Sequence, residues 1–307
     1  MHIIFQNIWN IYNRLQFHIY SNNILAQEQY GFRTNSSTKL PSYNLINDIL
    51  RAIDNKLIVG GLSCNLTKTF DCVKHDILLG KLEHYGINDK AGDLIKSYLN
   101  DRYQREIIKH EYYKSSSVRD KVRQGVPQGL ILGPLFFLLY IKDLPYIINN
   151  ISKSTLFADD TSTKFSTSDS TDHGPEFIMT FDKINLQFAI NSLSLNLNKT
   201  NFVHFTAKSN TKLDINIYFE YIQFHNIYNI KFFGLTIGNT LSWKIQIEQL
   251  ASKLSSAGYS IRSLKSIMFQ KSLRKNYYSY VHSIKLYGTI FWGNLPYSNS
   301  IFKIKKE

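Results

Sequence analysis

Thr155-Leu156-Phe157-Ala158-Asp159-Asp160-Thr161 places two adjacent carboxylates at the tip of an apolar run, with threonines following. Two negative charges side by side repel unless a cation shares them. The segments on either side, together 153–165, read as strands, which predicts a hairpin whose turn holds both acids. That arrangement suits divalent ions and phosphoryl or nucleotidyl transfer. Taken alone, the pair reads equally well as an ordinary solvated turn. Its neighbours decide between the two.

Apolar spacing outward from the hairpin predicts a mixed α/β or α+β chain. Phe5, Ile8, Trp9, Tyr12 and Leu15 mark a helix over 5–21, and Leu45, Ile49 and Ile53 mark another that opens near Pro41. A strand is expected from Leu57 to about Leu66, then helices near 76–85 and 90–100. Arg123-Gln124-Gly125-Val126-Pro127-Gln128-Gly129 is a turn-rich loop ahead of a buried apolar helix at about 134–148. Beyond the acidic turn, a helix over 174–192 precedes a strand near 201–206. Short strands over 212–237 and a largely helical stretch over 243–283 complete the chain. Ser166–Asp172 is the nearest approach to a low-complexity linker.

The chain has 307 residues, 43% hydrophobic and 19% charged, which is globular rather than disordered composition. Its net charge of +13 is uneven, because residues 231–307 hold 12 Lys/Arg against only Glu248 and Glu307. A basic module on a nearly balanced remainder points to a polyanion partner, most simply nucleic acid. The aromatics within that module (Trp243, Tyr259, Tyr277, Tyr278, Tyr280, Tyr287 and Trp292) read mostly as core. Cys64 and Cys72 are too few for a disulfide framework. The apolar run Leu130–Ile141 is too short for a bilayer span, which takes about 20 residues. Polar residues follow Met1 too early for a signal peptide. The expectation is an intracellular protein of cytoplasm or nucleus, with no membrane partner.

Two further segments give the acidic pair a context. Val59-Gly60-Gly61-Leu62-Ser63-Cys64-Asn65-Leu66-Thr67-Lys68-Thr69-Phe70-Asp71 precedes it by about ninety residues. Gly125-Val126-Pro127-Gln128-Gly129-Leu130 lies between, and Phe157-Ala158-Asp159-Asp160 follows. In that order and spacing they resemble the palm of reverse transcriptases from non-LTR retrotransposons of the jockey type. Gln29-Tyr30-Gly31-Phe32-Arg33 resembles the family's fingers segment. Leu195 to Thr200 and Lys231-Phe232-Phe233-Gly234-Leu235 resemble later palm motifs, and Trp243 and Tyr287 to Gly293 resemble its thumb. The resemblance covers nearly the whole chain.

The resemblance implies an α+β right-hand polymerase fold with partial fingers over 1–55, an antiparallel palm over 56–228, and a primer grip with a partial basic thumb over 229–307. It implies an RNA-directed DNA polymerase chemistry using Mg²⁺ or Mn²⁺, an RNA template, a DNA primer and dNTPs. Asp159 and Asp160 match one strand's share of the metal-binding acids. Phe70 matches the bulky residue against the incoming sugar, and Gln128 and Gly129 match the loop supporting nucleotide and template. Arg33 is a candidate phosphate contact and Lys199 a candidate proton donor to pyrophosphate, each open to a plain surface reading. Phe233, Gly234 and Leu235 match the primer grip.

The sequence also departs from the family. The first catalytic position, an aspartate in working members, is Asn65, which keeps the shape and loses the charge. Asp71 stands six residues on, about 20 Å along an extended strand, so it is not expected to replace the missing acid. Thr69, Lys74 and Leu130 stand where the resemblance leads one to expect an alanine, an acid or asparagine, and a serine. The family's upstream fingers strands and endonuclease are expected to be missing, as in a truncated copy. Catalysis is therefore expected to be impaired and the two-metal site incomplete. A working polymerase, a nucleic-acid-binding relic and a decayed reading frame remain as alternatives.

Overall fold

The computed structural model describes residues 2–100, 102–110, 113–168, 174–206, 216–219 and 222–303. Its first half runs α1 (His2–Ser21), α2 (Lys39–Asp54), β1 (Ile58–Cys64), α3 (His75–His84), α4 (Asp89–Leu99), β2 (Tyr103–Gln104), β3 (Ile107–Lys109), β4 (Lys114–Ser116), β5 (Asp120–Lys121), α5 (Leu132–Tyr140) and α6 (Leu144–Ile148). Then follow β6 (Lys153–Phe157), β7 (Asp160–Thr167), α7 (Gly174–Ile190), β8 (Asn201–Phe205), β9 (Asn216–Phe219), β10 (Ile222–His225), β11 (Asn229–Phe232), β12 (Leu235–Gly238), α8 (Lys244–Leu264) and α9 (Gln270–Asn276). The predicted hairpin, the strand ahead of Asn65 and the helices fall where the apolar spacing put them. Of the expected linker, residues 169–172 lie outside the described residues, as do 207–215 and 220–221 among the expected late strands.

The central sheet has the order β6-β7-β1-β8. β1 pairs antiparallel with β8, from Val59 opposite Phe205 to Ser63 opposite Asn201. Glycine inside a strand usually marks a close approach, and Gly60 shows one. A Cβ there would lie 2.2 Å from the Phe165 ring. Phe165 is itself fully buried and stacks on Phe202 with ring centroids 6.0 Å apart.

The chain divides into two compact units. One comprises Met1–Ser36, Cys64–Thr163 and Pro175–Thr200, the other Ser37–Ser63, Lys164–Gly174 and Asn201–Glu307. In the first, Phe177, Phe181, Ile184 and Phe188 recur at helical spacing along α7 and are all buried. Helix α5 is buried on every side, as an apolar Leu-Gly-Pro-Leu-Phe-Phe-Leu-Leu-Tyr run requires. The single helix expected at 134–148 is interrupted at Ile141–Asp143. Pro145 has no N–H to continue the ladder and sits instead in the first turn of α6. The break is held by Lys81, whose ammonium donates to Tyr140 O and pairs with Asp143 at 2.7 Å.

In the second unit, α2 buries Leu45, Ile46, Ile49 and Ala52. The basic C-terminal helices differ from expectation in one respect. Of the seven aromatics read as mostly core, only Trp243 and Trp292 are buried, while Tyr259, Tyr278 and Tyr280 are exposed. Trp243 stacks on Phe291 at 5.3 Å and the Trp292 indole N–H donates to Tyr287 O. The tyrosines carry a hydroxyl that water satisfies, so the face they share with lysines and arginines stays outside. Among the described residues no helix is long and apolar enough to cross a membrane.

The β1 packing is testable. Gly60→Ala forces a methyl group into the buried Phe165 ring and is expected to lower stability by about 1–3 kcal/mol. A fall in the urea midpoint at unchanged slope would register it.

Candidate functional site

The site is built within the first unit, outward from the β6–β7 turn. Only Ala158 and Asp159 form that turn, and Asp160 already opens β7. Ala158 has φ of +56°, in the left-handed region that a residue with a Cβ rarely adopts. Such a conformation persists only where surrounding structure imposes it. Here Gln29, 3% exposed, does so. Its Oε1 accepts the Ala158 N–H at 2.9 Å and the Gly31 N–H at 2.8 Å, and its Nε2 donates to Ala158 O at 3.3 Å.

The backbone around Gln29 runs parallel to β6. The Tyr30 N–H donates to Leu156 O, and the Leu156 N–H donates to Glu28 O, each at 2.8 Å. Gly31 lies so close that a Cβ would meet Ala158 N at 2.2 Å. Arg33 donates through Nη1 to Ala26 O and Gln29 O, both at 3.0 Å. Its guanidinium thus braces the segment that holds the acidic turn.

Asn65 follows directly on β1. Its backbone O accepts the Asn196 N–H at 2.8 Å, and the Thr67 N–H donates to Ser194 O at 2.9 Å. These bonds tie the Asn65 segment to the one carrying Lys199, an exposed residue at the end of a 3₁₀ turn. Four residues beyond Asn65, the buried Thr69 hydroxyl donates to Asp159 Oδ2 at 3.2 Å. The structure thereby brings the 65–69 segment onto the acidic turn. Burial pushes the neighbouring Cys64 thiol up to about 12 and keeps it inert.

Phe70 is half-buried between Phe137, at 5.2 Å, and Phe32, at 6.3 Å edge-on. The 124–129 loop docks on the chain just beyond it. The Val126 N–H donates to Phe70 O at 2.9 Å and the Gly125 N–H to Val73 O at 2.7 Å. Gln128 is exposed and its Nε2 donates to Asp71 Oδ1 at 3.1 Å. Gln128 and Asp71 line a polar cavity of about 830 Å³ with Lys68, Arg102, Lys121 and Arg123. Gly129 has φ of +79° and open space beside it.

Asp159, Asp160, Asn65, Phe70, Gln128, Gly129, Arg33 and Lys199 all belong to this first unit. Phe233, Gly234 and Leu235 belong to the second. There Phe233 and Gly234 form the β11–β12 turn with φ of +48° and +86°, the signs a tight hairpin prefers. The Tyr287 hydroxyl donates to Phe233 O. Gln29 is a site residue to which sequence reasoning assigns no role, and Thr69 and Asp71 appear there without the partners they have here, Asp159 and Gln128. Gln29 and Ala158 are 129 residues apart, and neither position carries a periodic signal for the other.

Among the described residues no group of three or more His, Cys, Asp or Glu side chains comes together to hold a metal ion. Asp159 in the turn and Asp160 at the start of β7 are chain neighbours, and Asp71 is bound to Gln128. Two carboxylates from one side do not fit a two-ion clamp, which takes acids from both sides.

A family model described as reverse transcriptase (RNA-dependent DNA polymerase) matches residues 6–237. A probable RNA-directed DNA polymerase from transposon BS of Drosophila melanogaster is 28% identical, over 94% of this chain and 32% of its own length. The RNA-directed DNA polymerase from mobile element jockey of the same species is 31% identical over 117 residues, 38% of this chain and 12% of its own. The chain therefore spans about a third or less of the curated relatives it matches. Among solved structures, Candida tropicalis telomerase in complex with a TWJ fragment of telomeric RNA aligns with TM-score 0.53 at 15% identity, over 96% of this chain and 47% of that one. The apo form aligns with TM-score 0.52 at 14% identity, over 97% and 51%. These likenesses show a shared right-hand polymerase fold.

The role of Gln29 has a direct readout. Gln29→Met keeps the length and leaves the buried Ala158 N–H unpaired, at an expected loss of about 1–3 kcal/mol. Hydrogen exchange at Ala158 should accelerate beyond that of the β1 amides. Gln29→Glu retains the acceptor but loses the donor to Ala158 O, and its exchange at Ala158 should fall between those of the parent and Gln29→Met.

Proposed function

Because this chain belongs to the reverse transcriptase (RNA-dependent DNA polymerase) family, we propose that it is a nucleic-acid-binding polymerase domain of non-LTR retrotransposon type whose nucleotidyl transfer is impaired at Asn65. The observation that carries this reading is the neutral Asn65 directly after β1, four residues ahead of Thr69, whose hydroxyl reaches Asp159. Asparagine offers one weak oxygen ligand where a charged carboxylate would bridge two dications. Metal clamping supplies several kcal/mol to such transition states. Losing about 4 kcal/mol slows a reaction roughly a thousandfold.

The remaining site residues take the roles that their family positions imply. Phe70 packs against the sugar of an incoming dNTP, and Gln128 and Gly129 support it and the template base. Arg33 contacts phosphate, and Lys199 is the proton donor to pyrophosphate. Phe233, Gly234 and Leu235 hold the primer end. Residues 1–55, 56–228 and 229–307 correspond to fingers, palm, and primer grip with thumb. RNA template and DNA primer are the partners, drawn by a net charge of +13. Asp159 and Asp160 are the residues that would hold Mg²⁺ or Mn²⁺, as one part of an incomplete two-metal site.

Purified protein with RNA template, DNA primer, dNTPs and Mg²⁺ or Mn²⁺ is expected to extend the primer no better than an Asp159→Ala/Asp160→Ala control. Robust extension by the unmodified chain would sink the proposal. Asn65→Asp is expected to tighten Mn²⁺ binding in a titration, because it adds the carboxylate that the family position implies.

A further inference from the structure

Strands β2 to β5 form one antiparallel ribbon. Tyr103 pairs with Lys121 and Gln104 with Asp120 at its root, and Ile107–Lys109 pairs with Lys114–Ser116 toward its tip. Backbone bonds continue it between, from the Ser117 N–H to Glu106 O and from the Val122 N–H to Arg102 O. Every described residue from 103 to 121 is exposed. A two-stranded ribbon with both faces in water is marginal on its own, and this one buries none of its strand residues.

Its charge is as unusual as its exposure. Residues 102–123 hold seven Lys/Arg (Arg102, Arg105, Lys109, Lys114, Arg119, Lys121 and Arg123) against three acids. Lys109 and Lys114 are direct cross-strand partners. Like charges in that position destabilise a ladder unless an anion lies across them. Among the described residues, Arg105, Lys109 and Lys114 make no ion pair. Aromatic rings interleave with the cations. Tyr103 and Tyr113 are exposed, His110 stacks on Tyr113 at 4.9 Å, and the Arg119 guanidinium sits 5.0 Å above the Tyr103 ring. At its root, Arg102, Lys121 and Arg123 open into the polar cavity that also holds Gln128.

We propose that this ribbon is a second nucleic-acid contact surface, separate from the basic C-terminal helices, and that it takes a single-stranded polynucleotide along its length. The inference rests on the reading of the chain as a nucleic-acid binder and adds where and how one strand is held. Repeated cations suit a phosphate backbone, and flat exposed rings suit unpaired bases, which offer a stacking face whatever their sequence. A folded acidic protein would offer carboxylates without those faces. An anionic membrane would call for an apolar face, which alternating Lys, Arg and Ser do not provide.

The test is binding of a fluorescein-labelled oligouridine to the full chain across a salt series. A variant with Arg105→Gln, Lys109→Gln, Lys114→Gln and Arg119→Gln is compared with a charge-matched one carrying Lys271→Gln, Arg274→Gln, Lys275→Gln and Lys285→Gln. All four ribbon positions are exposed, so thermal unfolding should be unchanged, or raised by relief of the Lys109–Lys114 repulsion. The ribbon variant is expected to bind more weakly, with the slope of log affinity against log salt reduced by about 3, near 0.7 per phosphate contact. Tyr103→Ala/Tyr113→Ala should weaken binding several-fold at unchanged slope. A ribbon variant that binds oligouridine as the parent does would overturn the inference. If the C-terminal variant alone loses affinity, the nucleic-acid reading survives without the ribbon. If the parent fails to bind at all, that reading falls as well. Loss of binding to phosphatidylserine vesicles with oligouridine binding intact would assign the surface to a membrane and overturn the proposal.

Discussion

Two hydrogen bonds from one buried amide to Ala158 hold the acidic turn in a conformation that alanine would not choose. Gln29 satisfies both the N–H and the C=O of that residue, and a glycine two positions on lets the backbones approach. The direction in which Asp159 and Asp160 leave the sheet follows from that geometry. Thr69 then reaches Asp159, and the chain after β1 docks on the 124–129 loop through Phe70 and Val73. Arg33 braces the Gln29 segment through its Nη1.

This arrangement explains how the scaffold accommodates asparagine at position 65. The bonds that anchor the segment are made by its backbone, to Asn196, and by neighbouring Thr67, to Ser194. Asparagine has the size of aspartate, so the packing loses nothing. What changes is charge, and charge matters to bound cations rather than to the fold. A change of charge at that position would leave these backbone bonds in place, the reverse of a change at Gly60, where the Phe165 ring fills the space.

The charge distribution shows how summing along a sequence can conceal a surface. The excess of cations after residue 231 is visible at once, whereas the remainder nearly cancels. Within it, residues 102–123 carry seven cations that acids elsewhere in the sequence balance only on paper. The ribbon leaves all of them but Arg102 exposed. Solvent exposure likewise divided the C-terminal aromatics, because tryptophans close the packing around Phe291 while the tyrosine hydroxyls remain in water.

Periodicity alone determined the elements that carry their own signal. The phenylalanines of α7 recur on one helical face, and the apolar runs around Asp159 and Asp160 make a hairpin in any context. The Asn65 substitution was likewise readable, since it is a matter of residue type. The interruption between α5 and α6 was written in Pro145, although the long apolar run masked it. Tertiary structure alone decided which distant groups meet. Gln29 and Ala158, Thr69 and Asp159, and Gln128 and Asp71 are separated by 129, 90 and 57 residues. Hydrogen bonds between groups so far apart in the chain leave no periodic trace, because they depend on where each element is placed by packing and not on its own composition.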